Sequence, residues 1–86
     1  MVRKTVKVIN PTGLHARPAS GLIALVKTFK SNVTLEKGEK KANGKSIIQV
    51  LSLCCTQGSS VTVCAEGEDE VEALGAIEKY IENLSE

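Results

Sequence analysis

The apolar residues of this 86-residue chain switch repeatedly between strand spacing and helical spacing, and this alternation limits the fold more than any other feature. In residues 2–9, Val2, Val6 and Val8 fall on one alternating face, as in a half-buried strand. A turn cluster follows at residues 10–13. From Ala16 the spacing becomes helical, and one apolar stripe consists of Ala19, Leu22, Ile23, Val26 and Phe29.

The rest of the chain repeats this switching with shorter elements. Residues 33–35 predict a second strand, and a charged turn with glycine leads into a third strand at residues 40–42. Ser46 and Gln49 match a capping box, which predicts a short helix that ends near Leu53 or Cys54. A fourth strand is predicted at residues 61–65. A final helix has the apolar stripe Val71, Leu74, Ile77, Ile81 and Leu84.

The predicted order of elements is therefore β-α-β-β-α-β-α within one domain, residues 1–86. The strands are too few and too short to be buried on both faces. We expect an α+β fold in which the long helices cover one face of a mainly antiparallel, four-stranded sheet.

Composition excludes several classes of partner. Eleven basic and ten acidic residues nearly cancel, and Phe29 and Tyr80 are the only aromatic residues, so neither a nucleic-acid footprint nor a base-stacking platform is expected. No apolar run is long enough for membrane insertion, and no signal peptide opens the sequence. We expect a cytoplasmic protein and, from its small size and balanced charge, a monomer.

The three cysteines do not predict a metal site. With no export signal, Cys54, Cys55 and Cys64 are expected to be reduced thiols that serve as small apolar side chains. Together with His15 they have the ligand types that zinc prefers, but Cys54 and Cys55 are adjacent, whereas metal sites usually separate their cysteines by two to four residues. We therefore expect no metal and no cofactor.

His15, the only histidine, stands where the first helix is predicted to begin. The main-chain N–H groups of Ala16 and Arg17 have no partner inside a helix that starts there, and Arg17 adds a fixed positive charge. Pro18 is tolerated because it falls within the first turn. These groups predict an anion site around the imidazole, which is also suited to carry a phosphoryl group. A simple surface cap with a solvated arginine remains the alternative.

Residues 12–19, Thr-Gly-Leu-His-Ala-Arg-Pro-Ala, resemble the active-site segment of the HPr family, the histidine-containing phosphocarriers of the bacterial phosphoenolpyruvate:sugar phosphotransferase system. Residues 45–53, the length and the order of elements resemble the same family. The resemblance implies an open-faced β-sandwich with four antiparallel strands and three helices on one face.

The resemblance also implies a function. Phosphorylated enzyme I would transfer a phosphoryl group to Nδ1 of His15, and the group would pass on to the IIA domains of sugar permeases. Arg17 would position and neutralise the phosphate, with Ala16 as a further phosphate-binding residue. Such a protein is a phosphocarrier with a covalent phosphohistidine intermediate rather than a stand-alone enzyme.

Ser46 has a structural interpretation, the N-cap, and a regulatory one. The resemblance implies phosphorylation of Ser46 by an HPr kinase/phosphorylase, with a catabolite-control regulator as a further partner. Ile47, Ile48 and Leu51 carry more apolar surface than so short a helix buries, which predicts an exposed docking patch. Ser20 lies on the implied enzyme I face.

Two other functions stay open at this point. One is a regulatory HPr-like protein that acts in carbon or nitrogen control without sugar transport. The retained His15 argues against the HPr-like relatives that lack the active histidine, but it does not exclude a dedicated branch. The other is a protein-binding adaptor in which His15 is incidental.

Overall fold

The structure, a computed structural model, describes residues 1–84 and contains the predicted elements in the predicted order. They are β1 (Val2–Lys7), α1 (Ala16–Val26), β2 (Asn32–Lys37), β3 (Lys40–Asn43), α2 (Ile47–Ser52), β4 (Ser60–Glu66) and α3 (Glu70–Glu82). The first strand is shorter than predicted because Val8 leaves the ladder and bonds instead to the turn at Gly58 and Ser59.

The four strands form one sheet in the order β1-β4-β2-β3, and every neighbouring pair is antiparallel. The pairings Val6↔Val61 and Leu35↔Val63 place apolar residues on one face of this sheet. Helix α3 contacts β1 and β4, α2 contacts β3, and α1 contacts both other helices. The three helices therefore cover that face, and the other face stays open, as the open-faced sandwich requires.

Side chains of the helices and of the inner sheet face form one core. The α1 stripe is buried as predicted at Leu22, Ile23 and Val26. In α3 the prediction was wrong for Val71, which is 70% exposed. The helix begins at Glu70, so the face that meets the sheet repeats every four residues through Ala73, Ile77 and Ile81, and Val71 lies off that face.

The cysteines also correct one expectation. All three are free thiols, and Cys55 is buried in the apolar core. Cys64 is also buried, but its thiol donates to Glu36 Oε2 at 3.7 Å and is not part of that core. Cys54, however, is exposed, because it follows the last turn of α2 in a left-handed conformation with φ 54°. Within residues 1–84 no helix is both long and apolar enough to cross a membrane.

Candidate functional site

His15 is the N-cap residue of α1, with extended backbone angles of φ −93° and ψ −164°. Its carbonyl oxygen accepts the first helical hydrogen bond from Ala19 N at 2.8 Å. Its side chain makes no capping bond and is exposed. The imidazole is therefore accessible from solvent rather than used to end the helix.

The surroundings of the imidazole favour an anion. Thr12, His15, Ala16, Arg17 and Pro18 line one shallow depression, so the structure brings the three predicted phosphate-site residues together. The first turn of α1 contains no acidic residue. The positive end of the helix dipole and the Arg17 side chain therefore both make the electrostatic potential of this depression more positive.

The loop before His15 packs closely against the segment that follows α2 and is hydrogen-bonded to it. Gly13 adopts φ +65°, and a Cβ atom there would lie 2.1 Å from the carbonyl oxygen of Cys55. Leu14 N donates to that same oxygen at 2.9 Å. A glycine is required here both for the left-handed angle and for this close approach. The position of His15 is thus set against the rest of the fold on its N-terminal side.

Asn10 holds the same loop from within, and sequence reasoning did not single it out. Its side-chain amide donates to the carbonyl oxygen of Gly13 at 2.8 Å and to Thr12 Oγ1 at 3.4 Å. The main-chain carbonyl oxygen of Asn10 accepts a hydrogen bond from Gly13 N at 3.1 Å. The residue is 1% exposed. Its membership of the turn cluster at residues 10–13 was the available signal.

A second depression joins the His15 site to α2. It is lined by Thr12, Leu14, His15, Leu51, Cys54, Cys55 and Thr56. Ile48 is 78% exposed and Leu51 is 36% exposed, which confirms that part of the α2 surface stays uncovered. We call Ile48 and Leu51 the apolar patch. Ile47 is partly buried against the core, and Ser20 is exposed on α1.

Ser46 is the N-cap of α2, as predicted, and Gln49 N donates to its hydroxyl at 3.4 Å. A capping box also requires the Gln49 side chain to accept a hydrogen bond from Ser46 N, and this part of the prediction was wrong. Gln49 Oε1 accepts instead from Asn43 N at 2.8 Å, because Ser46 N already donates to the carbonyl oxygen of Asn43 at 3.0 Å. The serine is half-buried.

The C-terminal end of α2 is stabilised by a cation. Lys37 Nζ donates to the carbonyl oxygen of Cys54 at 2.6 Å, where the helix dipole is negative. Burial raises the pKa of the neighbouring Cys55 thiol, and the nearby Lys37 partly offsets this effect. Cys55 is therefore held as a neutral thiol beside the loop that positions His15.

Comparison with known proteins gives a consistent result. Residues 2–83 match the family described as "PTS HPr component phosphorylation site". The HPr-like protein Crh of Bacillus subtilis is 45% identical over 82 residues, which cover 95% of this chain and 96% of Crh. The phosphocarrier protein HPr of Treponema pallidum is 41% identical over 86 residues, which cover 100% of this chain and 98% of that protein.

Solved structures support the same fold. HPr of Thermoanaerobacter tengcongensis superposes with a TM-score of 0.93 at 44% identity, covering 95% of this chain and 92% of that one. Crh of Bacillus subtilis, described as a dimer with a swapped domain, superposes with a TM-score of 0.79 at 43% identity, covering 100% and 99% of the two chains. That dimer conflicts with the monomer expected from the sequence.

Proposed function

The chain belongs to the HPr family, and from that premise we propose that it is a phosphocarrier. It accepts a phosphoryl group from phosphorylated enzyme I on His15 and passes the group to the IIA domains of sugar permeases. One observation carries this proposal: the exposed imidazole of His15 and the Arg17 guanidinium share a depression at the start of α1.

For phosphoryl transfer, the protein has mainly to position the imidazole and to stabilise the negative charge of the transferred group. A lone pair of the imidazole nitrogen attacks phosphorus, a P–N bond forms, and the bond between phosphorus and the donor atom breaks. The transferred group carries negative charge on its equatorial oxygens. Arg17 and Ala16 line the same depression as His15 at the positive end of α1, which supports the proposal that the guanidinium and the Ala16 N–H group stabilise this charge.

The openness of the site favours a carrier over an enzyme that must exclude water from its reaction. His15, Ala16 and Arg17 are all exposed, so water is not excluded and the phosphoryl group is held only modestly. A group that is held modestly passes readily to a second acceptor. The same exposure lets a partner protein bring its own catalytic groups to the imidazole.

The partner surface is proposed to extend from His15 onto α2. The depression that contains His15 also contains Leu51, so a protein that reaches the imidazole meets the apolar patch on the same side. Ser20 on α1 and the partly buried Ile47 complete the proposed docking residues. Exposed apolar side chains next to a reactive group are typical of a protein interface.

A regulatory role is the second candidate, and the identity of 45% to Crh of Bacillus subtilis favours it. In that case Ser46 is phosphorylated by an HPr kinase/phosphorylase, and the modified protein binds a catabolite-control regulator. A phosphate on Ser46 lies at the N-terminus of α2, where its charge is tolerated, so the fold survives. The charge instead changes the surface beside Ile48.

Phosphorylation assays separate these functions. The protein is incubated with phosphoenolpyruvate and enzyme I, and the expected product is an acid-labile, base-stable phosphate. His15→Ala abolishes this label, whereas Ser46→Ala, the matched control, keeps it. If enzyme I does not label the protein but an acid-stable, ATP-dependent label appears on Ser46, the result supports the regulatory role. If neither donor labels the protein, the result supports an adaptor.

A further inference from the structure

A polar depression of about 290 Å³ lies on the open face of the sheet, at its β3 edge, and shares no lining residue with the depressions around His15. Its polar lining comes from β2, β3, the loop that follows β3, and α2. These residues are Asn32, Thr34, Lys41, Asn43, Lys45 and Gln49. Two ammonium groups, three amides and one hydroxyl line it, and no carboxylate does.

Two of the amides are oriented so that they present donors. Asn43 Oδ1 accepts from Lys45 N at 2.8 Å, and Gln49 Oε1 accepts from Asn43 N at 2.8 Å. A main-chain N–H must meet an oxygen atom, so these bonds decide which way each amide faces. The NH₂ groups of Asn43 and Gln49 are therefore the atoms left to bind a ligand, and they bind an acceptor.

The lysines add positive charge that the described part of the chain does not neutralise. Neither Lys41 nor Lys45 forms an ion pair within residues 1–84. Glu36 lies opposite Lys41 in the strand register. Its carboxylate, however, is directed to the Arg3 guanidinium, with Oε2 3.8 Å from Nη2, and to the Cys64 thiol. Lys41 is thus left to face the depression.

We infer that this depression binds a small phosphorylated molecule, a phosphate monoester. A phosphate group carries about two negative charges and three acceptor oxygens, which match two ammonium groups and several N–H donors better than a single carboxylate does. The volume of about 290 Å³ fits a small ester rather than a nucleotide. The inference does not depend on the phosphocarrier role, because it uses neither His15 nor Arg17.

The site adjoins Ser46 through the same residues. Ser46 N donates to the carbonyl oxygen of Asn43 at 3.0 Å, and Gln49 N donates to the Ser46 hydroxyl. Asn43 and Gln49 therefore contact both the proposed ligand and the cap of α2. A metabolite bound here lies next to the serine for which a regulatory role is proposed.

The test is a titration of ¹⁵N-labelled protein with glycerol 3-phosphate at constant ionic strength. We expect saturable shifts of the main-chain amides of Asn43 and Lys45 and of the Gln49 side-chain NH₂. Lys41→Gln/Lys45→Gln weakens this binding about tenfold or more. Lys7→Gln/Lys79→Gln, which removes the same charge at exposed positions elsewhere, changes it by less than about twofold.

Binding of the probe at His15 is reported separately by the amides of Ala16 and Arg17, so the two sites do not mask each other. A parallel titration with inorganic phosphate shows which part of the ester is bound. If phosphate and glycerol 3-phosphate bind with equal affinity, the phosphoryl group alone is recognised. If the ester binds more tightly, its organic part also contacts the protein. Shifts confined to the His15 region, the same shifts with sodium chloride, or equal weakening by both double variants would overturn the inference.

Discussion

The hydroxyl of Tyr80 donates a 2.7 Å hydrogen bond to the carbonyl oxygen of Pro18 and so ties α3 to the first turn of the helix that begins at His15. Gly21 makes this contact possible, because a Cβ atom there would lie 2.2 Å from the Tyr80 hydroxyl oxygen. The helix end that carries the imidazole is thus supported by α3 on one side and by the Cys55 segment on the other.

This relationship predicts coupling between Gly21 and Tyr80. Gly21→Ala alone destabilises the protein by about 1–2 kcal/mol, because the steric conflict outweighs the gain of up to ~1 kcal/mol in helix propensity. In a Tyr80→Phe background the hydroxyl is absent, so Gly21→Ala lowers the free energy of unfolding much less. Tyr80→Phe alone costs about 0.5–1.5 kcal/mol. Urea unfolding of the four proteins measures this, and equal effects of Gly21→Ala in both backgrounds would contradict it.

The apolar patch predicts a change in partner recognition without a change in stability. Ile48 is 78% exposed, so Ile48→Ala alters the free energy of unfolding by less than about 0.5 kcal/mol. It slows phosphoryl transfer from enzyme I severalfold through loss of apolar contact. Val71→Ala is the matched control, because Val71 is 70% exposed on α3. Rates of transfer that fall equally in both variants would show that the patch is not a docking surface.

Ser46 predicts separable effects on folding and on transfer. Ser46→Ala removes the cap of α2 and costs about 0.5–1 kcal/mol, toward the low end because the capping bond is 3.4 Å long. Ser46→Asp keeps a capping oxygen and therefore most of the stability. It slows transfer from enzyme I, because negative charge is added beside the patch. Thermal unfolding and a transfer assay check this, and unaltered transfer in Ser46→Asp would refute it.

Asp69 predicts a loss of stability in acid. Hydrogen bonds from the Ser31 side chain and from the main-chain N–H groups of Lys30 and Ser31 lower the pKa of its carboxyl. The contribution to stability is complete above the unfolded pKa of about 3.9 and is lost as the pH falls through the lower folded value. Asp69→Asn is less stable at pH 7, and the difference from the unchanged protein narrows below about pH 4. A difference that stays constant from pH 7 to pH 2 would contradict this.

Local signals were sufficient to predict the elements and the places of the candidate site residues within them. The start of α1, with His15 before it and Arg17 within its first turn, follows from residues that are neighbours in sequence. The same is true of Ser46 at the start of α2. Capping, turn chemistry and helical spacing act over a few residues, so a single sequence contains them.

Contacts between distant residues were not predictable in this way. Tyr80 and Pro18 are 62 positions apart, and no sequence pattern near either residue predicts the hydrogen bond between them. The exposure of Val71 depends on where α3 meets the sheet. The donor-lined depression depends on two amide orientations that are fixed only once β3 and α2 are in place.

The most direct test of the central claim uses the fact that the chain contains a single histidine. A long-range ¹H–¹⁵N spectrum of the imidazole is recorded before and after phosphorylation by enzyme I and phosphoenolpyruvate, and again after a IIA domain is added. We predict that the ring signals change to those of a phosphorylated Nδ1 and return to their starting positions when the acceptor is present. Ring signals that stay unchanged while phosphate appears elsewhere on the protein would contradict the account.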